Sequence, residues 1–142
     1  MQIKDIMSKK VISVSPNESA AVAARLLAQH NIGALPVCSK EGRVRGVLTD
    51  RDIVLRCVAA EDDIHTTKVS DLMTRRVVSV GAEDSLETAS ALMARAQVRR
   101  LPVEQDGKLV GMLSLGDLAK APECNQTAAN ALTEISSNMK SL

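Results

Sequence analysis

Apolar positions fall twice into the same succession of patterns along the chain. Val11 to Val14 is a short apolar stretch, and Asn17-Glu18-Ser19 after it is an acidic, hydroxyl-bearing start that predicts a helix N-terminus. Val22, Leu26 and Leu27 then stand at i, i+4 and i+5, one face of an amphipathic helix. Two strands are predicted next, Ala34 to Cys38 and Val44 to Leu48, about a Lys-Glu-Gly-Arg turn, with a second helix from near Thr49. From Val77 the succession returns. Val77 to Val80 precedes Glu83-Asp84-Ser85, a helical face of Ala89, Leu92, Met93 and Ala96, strands Leu101 to Glu104 and Leu109 to Leu113 about Asp-Gly, and a helix from Ser114. Each copy reads β-α-β-β-α, a mixed α/β (α+β) fold.

The match extends to individual residues. Asp5 and Asp71, Met7 and Met73, Val14 and Val80, Ser19 and Ser85, Leu26 and Leu92, and Leu35-Pro36-Val37 and Leu101-Pro102-Val103 are all 66 apart. One extra residue in the first hairpin turn then shortens the offset to 65, at which Gly46 and Gly111, Leu48 and Leu113, and Asp52 and Asp117 correspond. Self-similarity of this kind marks one supersecondary unit used twice, each copy too small to bury its apolar face alone, so the two halves are expected to pack on each other through their sheets. The expected organisation is a first repeat over 1–58, a polar connector over 59–68, a second repeat over 69–121 and a tail over 122–142. Past the helix breaker Pro122, Ala128, Leu132, Ile135, Met139 and Leu142 form a narrow apolar stripe that predicts a helix, either docked on its own protomer or serving dimerisation.

Composition narrows the function classes. A formal net charge of +1 offers nucleic acid no broad basic field, so no nucleic-acid partner is expected. No apolar run approaches the roughly 20 residues that span a bilayer, and MQIKDIMSKK lacks the apolar core of a secretion signal; the expected location is the cytoplasm, away from membrane. Cys38, Cys57 and Cys124 have neither zinc-site nor CxxC spacing and are expected as reduced, partly buried thiols, with a disulfide between two of them the alternative. The chain has no Phe, Tyr or Trp, so any pocket for a base must be aliphatic.

Candidate chemistry lies where the last strand of each copy meets its second helix. Gly46-Val47-Leu48-Thr49-Asp50-Arg51-Asp52 and Gly111-Met112-Leu113-Ser114-Leu115-Gly116-Asp117 share a glycine, two apolar residues, a hydroxyl, and an aspartate three residues further on. A helix starting at the hydroxyl directs backbone N–H groups and a positive dipole end toward an anion such as phosphate. One turn later the carboxylate can accept from both hydroxyls of a ribose. The competing structural reading is a capping box, with Thr49 or Ser114 as cap and the aspartate reaching back to the cap's N–H.

From Asp-Ile-Met-Ser through Gly-Ala-Leu-Pro-Val to Gly-Val-Leu-Thr-Asp-Arg-Asp-Ile-Val, the repeated frame resembles the cystathionine β-synthase (CBS) domain, and two copies cover residues 3 to 121. The resemblance implies a tandem pair, or Bateman module, with two pseudo-symmetric clefts, a tendency to dimerise, and an adenosyl ligand: AMP, ADP or ATP, with S-adenosylmethionine less expected. It implies a ribose-binding role for Asp52 and Asp117 and a phosphate-proximal hydroxyl at Thr49 and Ser114. It also implies an adenine lining by main chain around Ile12 and Val78. The family often sets a basic residue just before its Leu-Pro-Val strand; Arg99 and Arg100 match, whereas the first copy has Gly33 and Ala34, so the two clefts are expected to be inequivalent. Countercharge for phosphate falls first to Arg99 and Arg100 and next to Arg51, Lys9 and Lys10, with Asp50 beside them in the first motif.

No catalysis is expected, because His30 and His65 lie in no nucleophile or metal motif, and Asp50 with Asp52 is read as sugar binding plus surface charge rather than as a metal site. The expected function is a regulatory adenine-nucleotide module that reports cellular energy state to an unidentified regulated protein, as a homodimer. The alternative is a stress- or redox-responsive interaction protein with no physiological nucleotide. It is kept by the similarity of the Ile-Gly-Ala-Leu-Pro-Val-Cys segment to stand-alone CBS pairs of the hypoxic response type.

Overall fold

A computed structural model describes residues 1–121 and 125–139, and within the last helix the side chains of 129–136. The fold is mixed α/β with two small sheets, and the chain divides into two compact units: Ile12–Val77, and Met1–Val11 together with the chain from Val78 onward. These units do not coincide with the sequence repeats. Each takes the leader of the other repeat, so the body of the second repeat is completed by residues 1–11 and that of the first by 69–77.

In the first unit, helix α1 (Ala20–His30) starts at Ser19, whose hydroxyl accepts the Val22 N–H at 3.2 Å, and ends at Asn31 in the left-handed region. Strands β1 (Ala34–Cys38) and β2 (Val44–Thr49) pair antiparallel, helix α2 (Asp50–Ile53) runs on into a π turn over Val54–Val58, and α3 (Val69–Leu72) opens the second repeat's leader. In the second unit, Ile3–Asp5 makes a 3₁₀ turn and β3 (Val80–Gly81) pairs parallel to β4 (Arg100–Gln105). Helix α4 (Leu86–Ala96) starts at Ser85, β5 (Lys108–Ser114) pairs antiparallel to β4, and α5 (Leu115–Lys120) and α6 (Asn125–Met139) follow. Both hairpins bulge at the same place, between Val37 and Cys38 and between Val103 and Glu104. The Asp106-Gly107 turn has positive φ at both residues, as a two-residue hairpin of matching twist requires.

The expected first strands are shorter than the apolar runs that predict them. Val11 to Val14 contracts to a single parallel bridge between Val14 and Val37, and Val77 to Val80 contributes only its last residue to β3. The cause is the proline of Leu-Pro-Val. Val14 N–H donates to the Pro36 carbonyl at 3.0 Å and Cys38 N–H to Val14 at 2.9 Å, but the next rung toward the N-terminus would need a Pro36 N–H that does not exist.

The inward faces of the helices keep the expected Leu27, Ala89 and Met93 but are centred further toward the small residues. Ala20, Ala21, Ala23 and Leu27 are buried on α1, with Val22 and Leu26 only partly so, and Leu86, Ala89, Ser90 and Met93 are buried on α4. The alanines let each helix lie close to its sheet, over Leu35, Val37 and Leu48 in one unit and Leu101, Val103 and Leu113 in the other. Ala131 and Ile135 of α6 are buried and the helix packs on α4 and α5, so the tail docks on its own unit while Leu132 stays exposed. Of the remaining expected features, Pro122, Cys124, Leu142 and the side chains of Ala128 and Met139 lie outside the described residues.

Candidate functional site

The leaders are held to the sheets by close backbone approach. Thr74 bridges Val47 in the first unit and Ser8 bridges Met112 in the second, each through two main-chain hydrogen bonds of 2.9–3.0 Å. Glycine is required opposite them. A Cβ at Gly46 would stand 2.8 Å from the Thr74 carbonyl oxygen, and one at Gly111 would stand 2.9 Å from that of Ser8. The glycine that opens each sequence motif therefore serves packing, and the hydroxyl and aspartate that follow begin where the sheet ends.

At that point both copies form a complete capping box. Asp52 N–H donates to Thr49 Oγ1 at 3.0 Å and Thr49 N–H to Asp52 Oδ2 at 3.0 Å; Asp117 N–H donates to Ser114 Oγ at 3.0 Å and Ser114 N–H to Asp117 Oδ2 at 2.9 Å. The hydroxyl residue is thus the cap, and each helix begins one residue later than a start at the hydroxyl itself. The box uses one carboxylate oxygen for one N–H, while an ionised carboxylate offers about four lone-pair sites. Asp52 Oδ1 lies 4.0 Å from Arg56 Nε, one turn on. Arg56 also donates to the Leu72 carbonyl at 3.3 Å, which ties the aspartate to the leader. Position 121 in the second copy is Ala, so Asp117 has no such neighbour.

The expectation of unpaired N–H groups at the helix start needs correction in the first copy. Asp50 N–H donates to the Gly33 carbonyl at 3.0 Å, Arg51 N–H to Asp50 Oδ1 at 2.8 Å, and Asp52 N–H to the cap. In the second copy Leu115 N–H donates to the Arg99 carbonyl at 2.8 Å, and Gly116 N–H has no partner among the described residues.

Ile12 and Val78 are partly buried against the cores of their own units. Pro36 and Pro102 cannot continue the ladder past Val14 and Val80, and the main-chain N–H and C=O of Ile12 and Val78 make no hydrogen bond among the described residues. Unsatisfied main chain on an aliphatic surface is the arrangement that can read the polar edge of a base without stacking on it.

The first unit collects Ile12, Thr49, Asp50, Arg51 and Asp52, and the second collects Val78, Arg99, Arg100, Ser114 and Asp117. Arg51, Arg99 and Arg100 are exposed, as are Lys9 and Lys10. The leader exchange places Lys9 and Lys10 in the unit of the second motif, and their repeat equivalents Arg75 and Arg76 in that of the first. His30 and His65 are exposed, Cys38 and Cys57 are buried, and the described residues hold no group of three or more His, Cys, Asp or Glu side chains able to bind a metal ion. Two contributors escaped the sequence reading. The carbonyl of Gly33 has no sequence signal, whereas Arg56 was legible as a cation one turn after Asp52.

The family model for the CBS domain matches residues 3–58 and 69–123. The chain belongs to the CBS-domain family. It is similar to the CBS domain-containing protein YhcV of Bacillus subtilis, at 48% identity over 134 residues and 94% of each chain. It is also similar to Hypoxic response protein 1 of Mycobacterium tuberculosis, at 38% over 117 residues and 82% of each chain. Among solved CBS structures, Hypoxic Response Protein I with two coordinated zinc ions aligns with a TM-score of 0.78 at 37% identity, over 84% of this chain and 98% of that one. The CBS domain pair of protein MJ0100, in complex with 5′-methylthioadenosine and S-adenosyl-L-methionine, aligns with a TM-score of 0.73 at 27% identity, over 84% of this chain and 94% of that one.

Proposed function

We propose that this CBS pair is a non-catalytic regulatory module that binds an adenine nucleotide, AMP, ADP or ATP, and passes its occupancy to another protein. The ribose hydroxyls are held by the oxygens of Asp52 and Asp117 outside the capping boxes, with Thr49 and Ser114 beside the 5′ group of the ligand, a phosphate in the second unit. The adenine edge is read by main chain at Ile12 and Val78. Arg99 and Arg100 supply countercharge in the second unit, and Lys9 and Lys10 stand in that same unit. The observation that carries the reading is the recurrence, in both units, of a carboxylate with acceptor capacity beyond its box together with main chain that a proline leaves unpaired. The adenosyl compounds bound by the MJ0100 pair lend it support. A nucleotide would act by differential affinity for two conformations, shifting their populations for a partner to read. Exposed Val54, Leu55 and Val58 on the π turn support a homodimer.

The test is the ultraviolet spectrum of an acid extract of the purified protein, followed by titration with AMP, ADP, ATP and S-adenosylmethionine. With no Tyr or Trp in the chain, a bound adenine dominates the near-ultraviolet absorbance. A nucleotide in the extract that rebinds saturably is the expected result; a clean extract with no binding in titration sinks the reading. The second reading, a stress-responsive interaction protein without nucleotide, is favoured by the similarity to Hypoxic response protein 1. Among the described residues, Cys38 and Cys57 are buried, which weakens a redox form resting on these two thiols, since an oxidant must reach a thiol to act on it.

A further inference from the structure

The two helix starts share a capping box and differ in charge. In the first copy all three first-turn N–H groups are taken, that of Arg51 by the Asp50 carboxylate at 2.8 Å. That carboxylate lies over Gly33: a Cβ there would stand 3.6 Å from Asp50 Oδ2 and 3.9 Å from Oδ1, in ordinary van der Waals contact. The second copy has Leu115, largely buried, in place of Asp50, and Arg99 in place of Gly33. At Gly116 a Cβ would meet only Ser114 Oγ, at 3.6 Å, so the space beside this helix start is open.

A carboxylate that caps its own helix start already occupies the donor a phosphate oxygen would use, and it adds like-charge repulsion to any phosphate brought near. We propose that Asp50 is a specificity-determining residue: it makes the first repeat select adenosyl ligands without phosphate, neutral thioethers or cationic sulfoniums, and reject phosphorylated nucleotides. The inference rests on reading both motifs as adenosyl sites. Discrimination here comes from a repulsive element aimed at the wrong ligand. At a protein surface, two like unit charges a few ångströms apart repel strongly enough for a discrimination on the order of tenfold. The same carboxylate attracts a sulfonium, so the expected order of affinity is S-adenosylmethionine, then 5′-methylthioadenosine, then AMP.

The experiment titrates full-length protein carrying Asp117→Asn, which weakens the second motif while leaving an acceptor for its capping box, with 5′-methylthioadenosine and AMP. The two ligands share adenosine and differ at the 5′ group. With Asp50 present, AMP is expected to bind on the order of tenfold more weakly than 5′-methylthioadenosine. Asp50→Asn, which can still accept the Arg51 N–H, should close most of that gap by raising the affinity for AMP; Asp50→Gly, which also releases the N–H, should close it further. Thermal melts of each variant check that folding is kept. Equal affinities with Asp50 present, or a gap that neither substitution alters, overturns the role of Asp50 while leaving the adenosyl reading intact. Failure of the unsubstituted protein to bind any adenosyl ligand overturns both.

Discussion

At Asp52 and Asp117 one carboxylate oxygen accepts the cap's N–H, at 3.0 and 2.9 Å, and the second lies outside the box. Capping and sugar binding therefore do not compete for the same atom, and two substitutions separate them. Asp117→Ala removes both, and should cost about 1 kcal/mol of stability for the lost hydrogen bond to the Ser114 N–H and roughly 1 to 3 kcal/mol of adenosyl affinity. Asp117→Asn keeps one acceptor for the cap and loses the second, so melting should stay near that of the parent while affinity falls. Thermal denaturation alongside calorimetric titration reads both quantities. A variant that melts early and binds normally would reduce the aspartate to a cap. The hydroxyl, the aspartate and their spacing were legible in the sequence, and so was the box. Its coexistence with a carboxylate oxygen outside the box was not, because that depends on rotamers.

At the scale of elements, the prolines of Leu-Pro-Val and the glycines of Gly-Val-Leu and Gly-Met-Leu act on main chain rather than on ligands. Pro36 and Pro102 end the parallel ladder at Val14 and Val80, which shortens the expected strands and leaves Ile12 and Val78 unpaired. Gly46 and Gly111 admit the leaders to within van der Waals range of β2 and β5. Gly111→Ala forces Cβ against the Ser8 carbonyl, which is backbone and cannot swing aside, so a loss of about 1 to 3 kcal/mol is expected from overpacking. Urea denaturation measures it. An unchanged midpoint would mean that the leader moves away without cost. Helix starts at Ser19 and Ser85 and the hairpins follow from local sequence, because caps and turns are satisfied within a few residues. The buried helical face was less legible: on α1 and α4 small alanines go inward and Val22, Leu26 and Leu92 stay partly exposed, a choice made by how closely the helix can approach its sheet.

For the whole molecule the governing feature is the exchange of leaders. Ile3 is wholly buried in the core built by the second repeat, Lys4 N–H donates to the Ala82 carbonyl at 2.8 Å, and Ser8 bridges Met112. Deleting residues 1–8 should therefore loosen β5 and α5 of the second repeat while sparing the β1–β2 hairpin that lies nearer in sequence. Amide hydrogen exchange resolved along the chain tests this, and protection lost first in β1 and β2 would contradict it. What the sequence by itself determined was the repeat, the order of elements, the hairpins and the motif residues, all set by local periodicity and by hydrogen bonds that close within a few positions. The tertiary structure alone decided which leader completes which unit, that α6 docks on α4 and α5, and that Asp50 comes to rest over Gly33. The physical reason is that each rests on contacts between residues far apart in the chain, where side-chain pattern names candidates for burial and only packing and main-chain pairing choose the partner.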